Sequence, residues 1–226
     1  MEISIGNLQA FPKMRNVVDA LKKLASRRVA GLENLSDEEL VAKCQQELPH
    51  DLTHYREILR RYEGLVFNTC QRMLGTREDA QEVSQDALIQ VFHKIKQFEG
   101  RAQFKTWLYK IVQNYCRNRI AKLARRREGR NAYEEHSDIL IADSDESAKK
   151  EELSEHVQAA LDKLKESDRE IVVLKFMSGL TLQEIAEVTE LGLSATKMRL
   201  YRALEAFKDA YDHLEKEFPV PLTQAS

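Results

Sequence analysis

The chain has 226 residues, of which 42% are hydrophobic and 32% charged, and its formal net charge is −2. Its eight glycines and four prolines are few for this length, which favours an all-helical protein. No apolar run is long enough to span a membrane and no secretory signal is recognisable, so a cytoplasmic protein is expected. The three cysteines, Cys44, Cys70 and Cys116, are widely separated, which indicates neither a disulfide framework nor a metal site.

Helical periodicity begins near the N-terminus. Residues 14–30 place apolar side chains at helical spacing among basic ones, which predicts an amphipathic helix within an N-terminal extension, residues 1–34. Ser36 and Glu39 have the spacing of a capping box, so a second helix is predicted to start there. A longer helical pattern covers residues 52–74.

Another helix is predicted to follow Thr76, which has the position of an N-cap residue. Its sequence, "REDAQEVSQDALIQVFHKI", carries one apolar stripe. The opposite face is polar and includes Asp79, Glu82, Gln85 and Asp86. On its own, this face is most simply explained as a solvated helix surface.

The segment 104–127, "FKTWLYKIVQNYCRNRIAKLARRR", combines aromatic, amide and basic side chains. Residues 101–130 carry ten Lys and Arg against one Glu, although the whole chain is slightly acidic. This mixture suits single-stranded nucleic acid, because cations follow the backbone, aromatic rings stack on bases and amides contact base edges. Periodicity puts Trp107 and Tyr115 on the apolar face, which leaves Tyr109 as the better stacking candidate.

The remaining chain indicates a second domain. Residues 126–150 lose helical periodicity and are polar and acidic, which predicts a flexible linker. Helical patterns then return. The sequence therefore predicts an all-α fold of two small helical domains, residues 35–125 and 151–215, followed by a tail, residues 216–226.

The second domain has the pattern of a helix-turn-helix. Thr181 and Glu184 form a predicted capping box before a two-turn helix, "TELGL" is a short turn, and Ser194 is predicted to cap a longer basic helix. A first turn carrying Ser, Thr, Lys and Arg suits the major groove of duplex DNA. A helical bundle with an ordinary solvated basic face is the alternative.

Taken in this order, the segments resemble the extracytoplasmic-function (ECF) sigma factors of bacterial RNA polymerase. The resemblance covers residues 35–210 and rests on "LSDEELVAKCQQ", "RYEGLVFNTCQRMLGTREDAQEVSQDALIQVFHKIKQF", "FKTWLYKIVQNYCRNRI" and "LTLQEIAEV…LSATKMRLYRALEAF". It implies that residues 35–125 are sigma region 2 and that residues 151–215 are sigma region 4. It further implies a protein without enzymatic activity, cofactor or metal, which binds core RNA polymerase, recognises the −35 and −10 promoter elements, melts the −10 region and directs initiation.

The resemblance also implies roles for single residues. The acidic helix would dock on the clamp coiled coil of the largest polymerase subunit, and Gln81 stands where the family usually has an acid. The residues implied for that docking are Asp79, Glu82, Gln85 and Asp86. Together with the stacking candidate, those for the −10 element and its melted strand are Phe98, Arg101, Phe104, Tyr109, Asn114, Arg117 and Arg119. Those for the −35 element are Ser194, Thr196, Lys197, Arg199, Tyr201 and Arg202, with Met198 departing from the family pattern.

Two other classes of protein are the alternatives. A helix-turn-helix regulator that never joins the polymerase explains the second domain but neither the acidic helix nor the basic aromatic one. An enzyme is not indicated, because His50 and His54 have the spacing of a metal pair but lack a third ligand. The sequence leaves open whether an anti-sigma factor, a kinase or transcriptional control regulates the protein. It also leaves open whether residues 1–34 pack on the first domain, contact polymerase or bind an inhibitor.

Overall fold

The computed structural model describes residues 31–128 and 145–217. Within these ranges the chain forms eight α-helices and one 3₁₀ turn and contains no strand. The predicted all-α fold is therefore confirmed. The described residues divide into two compact units, residues 31–71 with 76–117 and residues 72–75 with 118–128 and 145–217.

The first unit is assembled from helices that the sequence marks at their ends. They are α1 (Asp37–Glu47), α2 (Thr53–Leu74) except for its last three residues, α3 (Arg77–Lys94) and the first half of α4 (Phe104–Glu128), with a 3₁₀ turn at Ile95–Gln97. The Ser36 hydroxyl accepts a hydrogen bond from the Glu39 amide (3.2 Å), and the Glu39 carboxylate accepts one from the Ser36 amide (2.7 Å). Both hydrogen bonds of the predicted capping box are therefore present.

Long side chains from α1 and α2 fix the first unit around α3. The Tyr55 hydroxyl is fully buried and donates to the Leu88 carbonyl at 2.6 Å. The side-chain amide of Gln45 donates to the backbone carbonyls of Ile95 (3.0 Å) and Phe98 (2.7 Å). These bonds hold the chain where it leaves α3, so the loop before α4 starts from a defined position.

The second unit contains α5 (Asp145–Lys163), α6 (Glu166–Phe176), α7 (Leu182–Thr189) and α8 (Leu193–Glu217). The capping box predicted at the start of α7 is confirmed by hydrogen bonds in both directions between Thr181 and Glu184. The turn between α7 and α8 puts Glu190 in the left-handed region, with φ of 59°. A short helix, a tight turn and a longer helix follow one another as predicted.

Helical structure reaches into the predicted linker from both sides. The basic helix α4 continues to Glu128 and α5 begins at Asp145, so both ends of the interval 126–150 are helical. Residues 129–144 lie outside the described residues, as do the helix predicted at residues 14–30 and the tail beyond residue 217. The predicted domain bounds therefore stay predictions.

Candidate nucleic-acid and protein interfaces

The first turns of α8 have one buried face and one exposed face. Thr196, Leu200 and Ala203 are buried, and the Thr196 hydroxyl donates to the Gly192 carbonyl at 3.1 Å. Thr196 is fully covered, so its assignment to the DNA-contacting set is corrected. Ser194 is not the N-cap either, because α8 begins at Leu193 and the Gly192 carbonyl accepts the Thr196 amide (2.9 Å).

The opposite face of α8 is open and basic. Lys197 and Arg202 are exposed, and Met198 and Tyr201 are 59% and 54% exposed. The Lys197 ammonium lies 5.9 Å from the centre of the Tyr201 ring, a cation–π distance. Ser194 is exposed at the start of this face, while Arg199 is half-buried at its edge. Except for Thr196, the residues predicted for duplex DNA thus lie together.

The basic helix α4 buries a different stripe from the one expected. Leu108, Tyr109, Val112 and Cys116 are fully buried, whereas Trp107 is half-buried. Tyr109 is therefore a core residue and is withdrawn as a stacking candidate. The predicted apolar face was centred on Trp107 and Tyr115. The face that packs against other helices is instead centred on the neighbouring positions, and Trp107 lies at its edge.

An aromatic cluster closes the loop that precedes α4. Phe98 and Trp107 lie 5.3 Å apart between ring centres, and fully buried Phe104 lies 5.9 Å from Phe98 and 5.8 Å from Trp107. Phe104 cannot contact a base directly, so its assignment is also corrected: it supports the other two rings. Arg101 in the same loop is exposed and pairs with Glu99.

Polar and basic side chains follow the surface of α4. Asn114 is exposed, and Arg117 and Arg119 are half-buried. The exposed cations Lys110 and Lys122 are not among the single residues predicted for the −10 strand, although Lys122 lies in the basic stretch "RNRIAKLARRR", which the sequence predicts to follow the phosphates of a nucleic acid. Lys110 lies one helical turn before Asn114 and Lys122 two turns after it, so this spacing could have identified both.

The predicted polar face of α3 is narrower than its sequence suggests. Gln85 is only 9% exposed, so its assignment to the polymerase-docking surface is corrected: it is a largely buried residue. Asp79 accepts from the Thr76 hydroxyl at 2.8 Å at the start of the helix. Burial, reinforced by the nearby Asp86 carboxylate, raises the pKa of Tyr115, which places Asp86 beside α4.

On the predicted acidic face of α3, the most exposed side chains lie in the first turns of the helix. Glu78, missed by the sequence reasoning, and Gln81 are exposed, and Glu82 is half-buried. Glu78 precedes Glu82 by one helical turn, and this spacing could have identified it. The exposed acidic surface is therefore concentrated at the N-terminal end of the helix.

Neither a membrane span nor a metal centre is found in the parts of the chain that the structure describes. Residues 31–128 and 145–217 include no helix that is both long and apolar enough to cross a bilayer. The same residues contain no group of three His, Cys, Asp or Glu side chains placed to hold a metal ion. His54 pairs with Glu47 at 2.5 Å.

Comparisons with known proteins match both units. Residues 58–126 match the Sigma-70 region 2 family, and residues 154–207 match the family described as Sigma-70, region 4. The ECF RNA polymerase sigma factor SigW of Bacillus subtilis (strain 168) is 30% identical over 175 residues, which cover 74% of this chain and 93% of that protein. The chain belongs to the ECF sigma factors. The ECF RNA polymerase sigma-E factor of Escherichia coli (strain K12) is 27% identical over 187 residues, covering 77% of this chain and 93% of that protein.

Solved structures share the fold of this sigma factor. One is CnrH in complex with the cytosolic domain of CnrY, with a TM-score of 0.57, 21% identity and coverage of 78% of this chain and 97% of that chain. Another is the sigma factor RpoE in complex with the anti-sigma factor NepR from Bartonella quintana, with a TM-score of 0.59, 20% identity and coverage of 70% and 96%. The sigma factor thus acts with core RNA polymerase in promoter recognition and transcription initiation, as the resemblance implied.

Proposed function

We propose that this sigma factor divides promoter recognition between its two units. Residues 35–125 would bind core polymerase and the melted −10 strand, residues 151–215 would read the −35 duplex, and residues 126–150 would act as an acidic tether. One observation carries the proposal: two separate helices, α4 and α8, each present exposed basic side chains, and α4 begins in the first compact unit whereas α8 belongs to the second. A sigma factor of this design acts by binding in the bacterial cytoplasm, and the polymerase performs the chemistry.

The first turns of α3 are proposed as the contact with core polymerase. The exposed side chains Glu78 and Gln81 and the half-buried Glu82 form its outer surface, with Asp79 and Asp86 at the margins. A carboxylate surface of this kind attracts basic partners. Gln81 contributes no charge, so Glu78 and Glu82 are expected to carry most of the electrostatic attraction.

A charge reversal tests this contact. Asp79 helps to hold the start of α3, so Glu78→Lys with Glu82→Lys is a cleaner variant than one that includes Asp79. Co-purification with core polymerase is expected to be lost while the circular dichroism spectrum is unchanged. The matched control is Glu205→Lys with Asp209→Lys on exposed positions of α8. Undiminished co-purification of the α3 variant would refute the assignment.

The −10 strand is proposed to run from the loop at residues 98–104 along α4. Phe98 and Trp107 are half-buried rings that offer an edge or face to an extruded base. Arg101, Asn114, Arg117 and Arg119 supply the polar and cationic groups beyond them. Stacking contributes about 1–3 kcal/mol per base, which is the scale of the cost of extruding one. Melting can therefore be driven by binding, without ATP.

The −35 element is proposed to contact the open face of α8. Ser194, Lys197, Tyr201 and Arg202 project from it, with Arg199 at the edge, as the helix-turn-helix geometry requires. Lys197→Ala with Arg202→Ala should remove dependence on the −35 sequence in run-off transcription. Unchanged promoter selectivity would refute the contact assignment.

Reconstitution decides between a sigma factor with these contacts and a regulator that binds duplex DNA alone. Purified protein added to core polymerase and a promoter template should produce specific transcripts. A separate DNA-binding regulator produces none under these conditions. The acidic surface of α3 and the basic helix α4 favour the sigma factor, because a regulator that binds duplex DNA alone requires neither of them.

We also propose an anti-sigma factor as the class of regulator. The solved neighbour RpoE was determined with the anti-sigma factor NepR, and CnrH with the cytosolic domain of CnrY. These neighbours support a fold that accommodates a protein inhibitor. A kinase is the alternative, and phosphate incorporation into the purified sigma factor would favour it.

A further inference from the structure

Met198 occupies the centre of the open face of α8. Successive residues of an α-helix are turned by about 100°, so Met198 points roughly opposite to the buried side chains Thr196, Leu200 and Ala203. Its side chain is 59% exposed. An apolar side chain in this position has no intramolecular core to fill.

The neighbours of Met198 are those of a nucleic-acid contact. Lys197 precedes it directly and Arg202 follows one helical turn later, and both are exposed. These cations can reach phosphates on either side of a groove. Tyr201, also one turn later, is 54% exposed and adds a second apolar surface. A duplex seated by the cations would bring Met198 against base edges.

The thioether of Met198 limits what it can recognise. It has no hydrogen-bond donor and only a weak acceptor, so it cannot read the polar edges of guanine, adenine or cytosine as Arg, Asn or Glu does. The major groove offers one apolar feature, the C5 methyl group of thymine. We propose that Met198 contacts a thymine methyl group in the upstream promoter element and selects a T·A pair at that position. This inference rests on the proposed function of α8.

Deoxyuridine provides a direct test, because it differs from thymidine only by the absent methyl group. Holoenzyme formed from core polymerase and the full-length sigma factor first selects promoters from a library with a randomised upstream element. Each thymine of the selected element is then replaced by uracil, and promoter affinity is measured. At one position, uracil should weaken wild-type binding by about fourfold, the equivalent of about 0.8 kcal/mol for one buried methyl group.

Variants connect that position to Met198. In Met198→Ala the uracil effect at this position should fall to less than about 1.5-fold, whereas Met198→Leu should retain most of it because it keeps an apolar contact. Met198→Gln should shift the selected base towards adenine, whose N6 and N7 pair with an amide. Lys208→Ala, at an exposed position further along α8, should leave the uracil effect unchanged.

The possible failures separate the inference from the function on which it rests. Selection of an upstream element with no uracil-sensitive position would overturn the methyl contact and leave reading by α8 intact. A uracil effect of the same size in Met198→Ala would also overturn the assignment to Met198, since another side chain would then contact the methyl group. No enrichment of any upstream sequence by wild-type holoenzyme would overturn the proposed function of α8 itself.

Discussion

Arg61 connects three parts of the first unit through one guanidinium group. It pairs with Asp37 at 3.0 Å and Glu57 at 2.9 Å, and donates to the carbonyls of Leu32 (2.9 Å) and Leu35 (2.8 Å). Its side chain is only 20% exposed. The segment before α1 is therefore held on α2 by charge-assisted bonds that lysine, with a single point charge, cannot reproduce.

Truncating Arg61 should cost more than truncating its neighbour. Arg61→Ala leaves partly buried acceptors without their donor, and we expect the free energy of unfolding to fall by about 2–3 kcal/mol. Arg60→Ala is the matched control, since Arg60 pairs with Glu57 within α2 and is more exposed, and we expect a loss of about 1 kcal/mol or less. Urea denaturation of the full chain measures both. Equal losses would contradict the bridging role.

The same cluster should make the first unit sensitive to acid. Hydrogen bonds from Arg60 and, to a smaller extent, Arg61 outweigh burial and lower the pKa of Glu57 from its ordinary 4.5. A carboxyl with a lowered pKa in the folded state stabilises the fold above its unfolded pKa, and this contribution is lost as the pH falls through the folded value. Glu57→Gln should therefore show a shallower fall in stability below about pH 4.5 than wild type. Parallel pH profiles would argue against this.

At the level of the helical element, the start of α8 is organised by Thr196 rather than Ser194. The buried Thr196 hydroxyl bonds to the Gly192 carbonyl, while Ser194 is exposed in the first turn. Thr196→Val keeps the shape but removes the bond, so we expect the second unit to lose about 1 kcal/mol. Ser194→Ala should change stability by less than about 0.5 kcal/mol. Thermal unfolding of the two variants compares them, and the reverse order would restore Ser194 as the cap.

The turn before α8 contains a residue in an unfavourable backbone conformation. Glu190 has a φ of 59°, in the left-handed region that favours glycine. Glu190→Gly should therefore stabilise the second unit by roughly 0.5–1 kcal/mol. The control is Glu187→Gly at an exposed position inside α7, where the same substitution should destabilise by about 1 kcal/mol. A loss of stability in both variants would show that the Glu190 side chain matters more than its backbone.

These elements show which features of the fold can be predicted from sequence. The capping boxes of Ser36 and Thr181 depend on residues three positions apart, so the local pattern was sufficient. The burial of Tyr109, Thr196 and Gln85 depends on which side of a helix meets its neighbours. Buried residues of α3 include the polar Ser84 and Gln85 beside the apolar stripe, so the buried face is wider than the amphipathic pattern alone indicates.

For the molecule as a whole, the segregation of charge is the dominant property. The net charge is only −2, yet residues 101–130 carry ten cations and a single acid. Lys122, Arg125 and Arg126 are exposed near the end of α4. Positive charge spread evenly over the surface would attract DNA in many orientations, whereas positive charge concentrated in one segment favours a single contact surface.

Removing this focus should change the salt dependence of promoter binding. Lys122→Gln with Arg125→Gln and Arg126→Gln should reduce the slope of log affinity against log salt for the holoenzyme by about 2–3, because each phosphate contact contributes about 0.7–0.9. The control removes as many exposed cations elsewhere: Lys163→Gln, Lys165→Gln and Lys208→Gln. If the two triple variants changed the slope equally, the contacts with DNA phosphates would not be concentrated at the end of α4.

The aromatic cluster before α4 has a practical consequence. Trp107 is the only tryptophan of the chain, and its ring centre lies 5.3 Å from that of Phe98 at the edge of the loop. Tryptophan fluorescence of this sigma factor therefore reports on a single site. If the −10 strand binds here as proposed, a nucleobase arriving beside Trp107 would change its emission, and binding of single-stranded DNA by the sigma factor could be followed without a label.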